Sequence, residues 1–207
     1  MKRLNTKIPQ IICFLTLVLF ITSCSNEGMS PIEDYGDASI YELISESSGS
    51  STAKGAPKKG SDPIAAIAIN AQFNELVKAL EYVDEELDAG LVNLFLNGTD
   101  QFTVFAPTDM AFMNLYEALK ISSIIDLDAS LVLSVLQYHV TTGRRASNSV
   151  VPKNGMRTIE TLLGATFDVY PDLSIMAVGN SANIETADIS ASNGIIHIID
   201  TVILPIE

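Results

Sequence analysis

Cysteine, tryptophan, histidine and basic residues are all scarce in this 207-residue chain. It has two cysteines, no tryptophan, two histidines, and 12 lysines and arginines against 25 aspartates and glutamates. Each shortage excludes something. Cys13 lies inside an N-terminal apolar run that reads as a cleavable segment, so Cys24 has no partner in the mature chain. No internal disulfide can then staple the fold, and the core must carry stability alone. A net charge of −13 disfavours nucleic acid and bare anionic lipid, and no nucleic-acid partner is expected. The two histidines, His139 and His197, both sit in apolar patterns. There is no Gly-x-Ser-x-Gly elbow, phosphate loop or His-Glu-x-x-His helix, and no acidic run spaced as a calcium loop. The chain is therefore expected not to be an enzyme and to need neither metal nor cofactor.

What is present begins with the N-terminus. Lys2, Arg3 and Lys7 precede an apolar run from Ile8 to Ile21, the layout of an export signal and too short for a comfortable membrane span. Its end, Ile21-Thr22-Ser23-Cys24, resembles the lipobox of bacterial lipoproteins. The resemblance implies a signal peptide over residues 1–23, cleavage before Cys24, and acylation of Cys24 as a membrane anchor. It also implies the outer membrane rather than the inner in a two-membrane cell, because Ser25 and not an aspartate follows the cysteine. Loss of the three basic residues leaves nine against 25 acidic ones, a net charge near −16. That acidity is diffuse and reads as solvation.

Residues 24–61 are expected to be the lipidated cysteine and a flexible linker, since their Ser, Gly, Pro and charge content cannot offset chain entropy. A coil of that length spans roughly 35 Å on average. Order is expected from residue 62 to 207. Ser61-Asp62-Pro63 is a helix-start signal, and Phe73, Leu76, Val77, Leu80, Val83, Leu87, Leu91 and Leu94 then recur at helical spacing, broken near Ala89-Gly90. A strand over residues 101–107 leads into Thr108-Asp109, one of which should cap the next helix. A further helix is expected from about Ala129 to Val140, with Asp126 and Asp128 explained as its capping acids. Beyond Gly143 the pattern alternates, as in Phe167 and Val169 against Thr166 and Asp168. The final run, residues 195–204, is apolar on both parities, as a buried central strand would be. Helices first and strands later indicate a single α+β domain.

Three segments in order resemble the fasciclin (FAS1) domain family. They are the box from Thr103-Val104-Phe105-Ala106-Pro107-Thr108-Asp109 to Phe112, the pair Tyr138-His139 at a helix end, and Asn193-Gly194-Ile195-Ile196-His197-Ile198-Ile199-Asp200 through Leu204-Pro205. The resemblance implies N-terminal helices packed on a β-sheet wedge. Thr108, Asp109, His139, Asn193, Gly194 and His197 are expected to be structural, with Asn193-Gly194 permitting a positive-φ turn. His139 falls on the apolar stripe of its helix with Val132, Val135 and Leu136, whereas Tyr138 points away from the stripe's centre and is expected to be partly exposed. The resemblance to adhesive animal members, in which the region around such a pair is implicated in integrin contact and an Asp-Ile pair is presented for adhesion, makes Tyr138 and Asp188-Ile189 the candidate interaction residues, with a loop acid and a core isoleucine as the structural alternative for Asp188-Ile189.

The function these features imply is adhesion, or binding of a surface or matrix protein or glycan, by a membrane-anchored cell-surface or envelope lipoprotein. The alternative is an envelope or periplasmic lipoprotein, structural or binding a small molecule. That alternative would show a concave apolar pocket with a few converging polar groups.

Overall fold

The computed structural model describes residues 57–206. The signal segment, Cys24 and the linker as far as residue 56 lie outside the described residues.

Three helices open the domain: α1 (Ile64–Asn70), α2 (Asn74–Leu87) and α3 (Leu91–Asn97). The break expected at Ala89-Gly90 is where α2 ends, with Asp88 and Gly90 both left-handed. Asp84, on α2, accepts the N–H groups of Leu91 and Val92 at 2.7 and 2.8 Å, so one helix supplies the cap of the next. The helix-start signal at Ser61-Asp62-Pro63 works differently from expectation. No local side chain caps α1; the Ile64 N–H is taken by Asn193 Oδ1 at 2.8 Å, across 129 residues of sequence.

Strand β1 (Phe102–Pro107) follows, then α4 (Asp109–Leu119), a 3-10 turn (Ile124–Asp126), α5 (Ala129–Tyr138), β2 (Val140–Thr142) and the short α6 (Ser147–Val150). α5 stops at Tyr138 rather than Val140 because Val140 pairs with Val104 of β1. Asp128 caps α5 through the N–H groups of Ser130 and Leu131, and Asp126 holds Ser122 and Ser123. The remainder is β3 (Arg157–Glu160), β4 (Thr166–Val169), β5 (Ser174–Met176), β6 (Ser181–Ala191) and β7 (Gly194–Ile199).

The seven strands lie in the order β2-β1-β7-β6-β5-β4-β3. Only β1 and β7 run parallel; the other pairs are antiparallel. Every residue of β1 and β7 is buried, because these two strands have a core on each face. Phe102, Val104, Ala106, Ile196 and Ile198 pack under the helices. Phe105 and Ile199 face the other way, into a core inside the bent sheet with Ile159, Phe167, Val169 and Ile175. Regular strand pairing ends at Ile199, short of the expected Leu204, but the face assignment continues: Val202 joins the helical core and Ile203 the inner one.

β6 is the longest strand and carries two one-residue register shifts, between Ile184 and Thr186 and between Thr186 and Ile189. The two bulges bend the strand where the sheet turns from one core to the other: Ile184 packs into the inner core and Ile189 into the helical one.

Candidate functional site

The first box builds the corner where β1 turns into α4. Thr108 Oγ1 accepts the Ala111 N–H at 3.2 Å and caps α4. Asp109 instead caps α2: its Oδ1 accepts the Glu75 N–H at 2.9 Å and its Oδ2 the Asn74 side-chain amide at 3.1 Å. Tyr116 donates to Glu75 at 2.6 Å, locking α4 to α2; burial, then the Glu75 carboxylate, push its phenol far upward.

Both histidines are buried and neutral, in opposite tautomers fixed by their partners. His139 donates from Nδ1 to the Val135 carbonyl at 2.7 Å and accepts the Ile203 N–H on Nε2 at 3.0 Å. Burial pushes it down to about 4. His197 accepts the Asp188 N–H on Nδ1 at 3.3 Å and donates from Nε2 to the Arg145 carbonyl at 3.0 Å, and burial lowers it too. Neither ring nitrogen is left to act as a base or ligand.

Asn193 and Gly194 are structural by a different route from the expected positive-φ turn: neither has positive φ. Asn193 holds the Ile64 N–H with Oδ1 and gives Nδ2 to the Phe95 carbonyl at 2.8 Å, stitching α1 and α3 to the β6–β7 turn. Gly194 is needed for closeness. A Cβ there would lie 2.2 Å from the Phe102 carbonyl oxygen and 2.8 Å from Ile64 Cδ1.

The candidate interaction residues are tied into the interior. Tyr138 is fully buried, contrary to the expected partial exposure, because the sheet wraps over the end of α5. Its ring meets Phe167 edge-on at 5.8 Å, and its hydroxyl donates to the Thr166 carbonyl at 2.7 Å. Ile189 is buried under the helices. Asp188 occupies a left-handed position at φ 68° in the β6 bulge, where its carboxylate holds the Ser147 N–H at 2.6 Å and the Ser147 hydroxyl. It thereby holds the first residue of α6. The same corner is clamped by Arg144, whose guanidinium reaches the carbonyls of Ala191, Gly194 and Lys58 and the Ser190 hydroxyl. Residues 57–60, on the linker side of the boundary drawn from composition, lie against β6 through these bonds and Gly60 N–H to Ala191.

Three concavities among the described residues bear on function. Two are apolar gaps in the helical layer of about 60 and 30 Å³, the first beside Leu115 and Val135, the second beside Leu80 and Phe95. The third is an open cleft of about 310 Å³ between the α1–α2 corner, the start of α4 and β6. Sequence reasoning missed it, since its lining comes from four separate segments spread between Gln72 and Ile198. Phe73 and Ile198 form its floor, and Gln72, Met110, Asp109 and Glu185 its rim. Among the described residues, no trio of His, Cys, Asp or Glu is placed to hold a metal ion.

The fasciclin domain model matches residues 71–205. The immunogenic protein MPB70 of Mycobacterium bovis is 34% identical over 152 residues, covering 70% of this chain and 69% of its own. Protein sll1483 of Synechocystis is 34% identical, with 66% of this chain and 69% of its own covered. The cell surface glycolipoprotein MPB83 of M. bovis is 33% identical over 144 residues, 70% of this chain and 61% of its own. No described helix is long and apolar enough to cross a membrane. With its first motif placed as the corner between β1 and α4 and its last as the doubly buried strand β7, the chain belongs to the fasciclin domain family.

Proposed function

We propose that this protein is a lipid-anchored envelope protein whose fasciclin domain mediates adhesion, or binds a surface protein or glycan, without catalysing a reaction. The observation that carries the reading is the pairing of Ile21-Thr22-Ser23-Cys24 with a fasciclin domain that is 33% identical to a relative named as a cell surface glycolipoprotein. Cys24 would carry the lipid, with the outer membrane as the expected site.

Neither gap in the helical layer supports capture of a small molecule. The two apolar gaps, at about 60 and 30 Å³, fall far below the roughly 300–1,000 Å³ of ligand pockets, and polar groups do not converge in them. Both histidines are occupied by backbone partners, which leaves acid–base chemistry without its usual agent.

The test has two parts. Mass spectrometry of the mature N-terminus should find an acylated Cys24; a free thiol there overturns the anchor. A deletion strain should attach less well to host matrix or neighbouring cells, and protease added to intact cells should remove the domain. Unchanged attachment together with full protease protection overturns the adhesive reading.

A further inference from the structure

The open cleft beside Met110 is of ligand size, at about 310 Å³, and it has a definite chemistry. Its floor is aromatic and aliphatic, from Phe73 and Ile198. Two carboxylates, Asp109 and Glu185, stand on its rim, and no lysine or arginine lines it. Met110 is 67% exposed beside them, a flexible apolar side chain able to fold over an occupant.

The two carboxylates are not equivalent. Asp109 is fixed, because each of its oxygens already accepts one N–H from the start of α2. Each oxygen keeps acceptor capacity, so it offers a preorganised negative group. Glu185 is exposed on β6, at the first bulge, and makes no hydrogen bond or ion pair among the described residues. A fixed acceptor and an adjustable one thus line the same cleft above an apolar floor.

We propose that this cleft receives a lysine or arginine side chain of a partner protein, its head between Asp109 and Glu185 and its aliphatic stem against Phe73, Ile198 and Met110. The assignment rests on the adhesive reading above and names the chemistry of the partner's contact. Charge complementarity selects this occupant. An anion would meet two carboxylates, and one backbone N–H at the start of each of α2 and α4 is already taken, by Asp109 and by Thr108. A bare divalent ion such as calcium wants six to eight oxygens, more than this rim supplies. A long cationic side chain matches the cleft in both parts, burying its stem while the head stays at the rim. The acidity of the whole mature chain adds a long-range field that draws cationic partners in.

The test uses the mature chain and the pentapeptide Gly-Gly-Arg-Gly-Gly, with the citrulline peptide as a neutral isostere, followed by amide NMR. The arginine peptide should shift Gln72, Phe73, Met110 and Glu185, and the citrulline peptide should not. Glu185→Gln should weaken binding about fivefold, the upper end for one half-exposed ion pair. Met110→Lys, which brings a resident cation to the rim, should abolish it. Circular dichroism should report both variants folded, since both positions are exposed. Shifts spread evenly over the acidic surface, equal binding by Glu185→Gln, or the same shifts from calcium chloride alone overturn the assignment. So does self-association of the chain that Glu185→Gln abolishes, because the occupant is then a second copy. Complementing the deletion strain separates the two readings. Full rescue of attachment by Glu185→Gln sinks the cleft and keeps adhesion. Peptide binding at the cleft with no attachment defect in the deletion strain sinks adhesion and keeps the cleft.

Discussion

Ile203 donates its backbone N–H to Nε2 of His139 at 3.0 Å, tying the last apolar segment of the domain to the end of α5 through an imidazole that has to stay neutral. Protonating Nε2 would destroy the acceptor and place a charge in the core. The folded-state value, about 4, lies below the ordinary 6.5, so the unfolded chain binds the proton more readily. This contribution is complete above pH 6.5 and is lost as the pH falls from there towards 4. Its full size is about 3 kcal/mol. Urea unfolding at pH 7, 5.5 and 4 should show this loss on top of the carboxylate contribution, and His139→Gln should remove the histidine part of the slope. An identical slope in the variant would show that His139 titrates normally.

Asn193→Ala is expected to be among the most damaging polar substitutions in the domain. It strands the Ile64 N–H and the Phe95 carbonyl together, both in buried surroundings. At about 1–3 kcal/mol for each orphaned group, the cost is about 2–6 kcal/mol. Asn193→Asp keeps the acceptor for Ile64 but turns an oxygen towards the Phe95 carbonyl, so it should rescue only part. The urea midpoints of the two variants decide this, with equal midpoints as the contrary result.

The sequence was legible where structure is local and opaque where it is not. Thr108, Asp126 and Asp128 cap elements within three residues of themselves, and their residue types announce it. Asp109 looks like the same signal but caps a helix 34 residues earlier, and Asn193 caps one 129 residues earlier. No local pattern encodes those partners. Face assignment over residues 195–204 was readable because alternation survives past the end of regular pairing, from Ile199 to Ile203. Tyr138 was misjudged because helical phase reports only the face towards the helical core. The bent sheet supplies a second core on the other side, and residues on both sides of α5's last turn are therefore buried.

Gly194 and Gly90 should separate two reasons for glycine. Gly90 needs its left-handed φ of 69° and has open space around it, so Gly90→Ala should cost about 1–2 kcal/mol. Gly194 has ordinary φ but a new Cβ would lie 2.2 Å from the Phe102 carbonyl oxygen, in the only parallel pairing of the sheet. Gly194→Ala should cost about 3 kcal/mol, the upper range for overpacking, or prevent folding. Thermal unfolding of the two variants distinguishes them, and a milder effect at Gly194 than at Gly90 would contradict the close approach.

Asp188 brings the sharpest contrast between an adhesive motif and a structural one. If the Asp188-Ile189 pair were presented to a partner, changing Asp188 would impair attachment and leave stability alone. Its carboxylate is instead committed to the Ser147 N–H and hydroxyl, its own N–H to His197, and Ile189 to the helical core. Asp188→Ala removes the hold on Ser147 and leaves the β-carbon in a left-handed bulge without the side-chain bond that favours it there. The expected loss is about 2–3 kcal/mol, compounded from a lost charge-assisted hydrogen bond and the strained backbone. Asp188→Gly relieves the backbone but not the lost bond, so it should fall between the wild type and Asp188→Ala in stability. Attachment by the two variants, compared at equal amounts of folded protein on the cell, should then equal that of the wild type. A defect shared by both at full folded abundance would show instead that the carboxylate touches the partner.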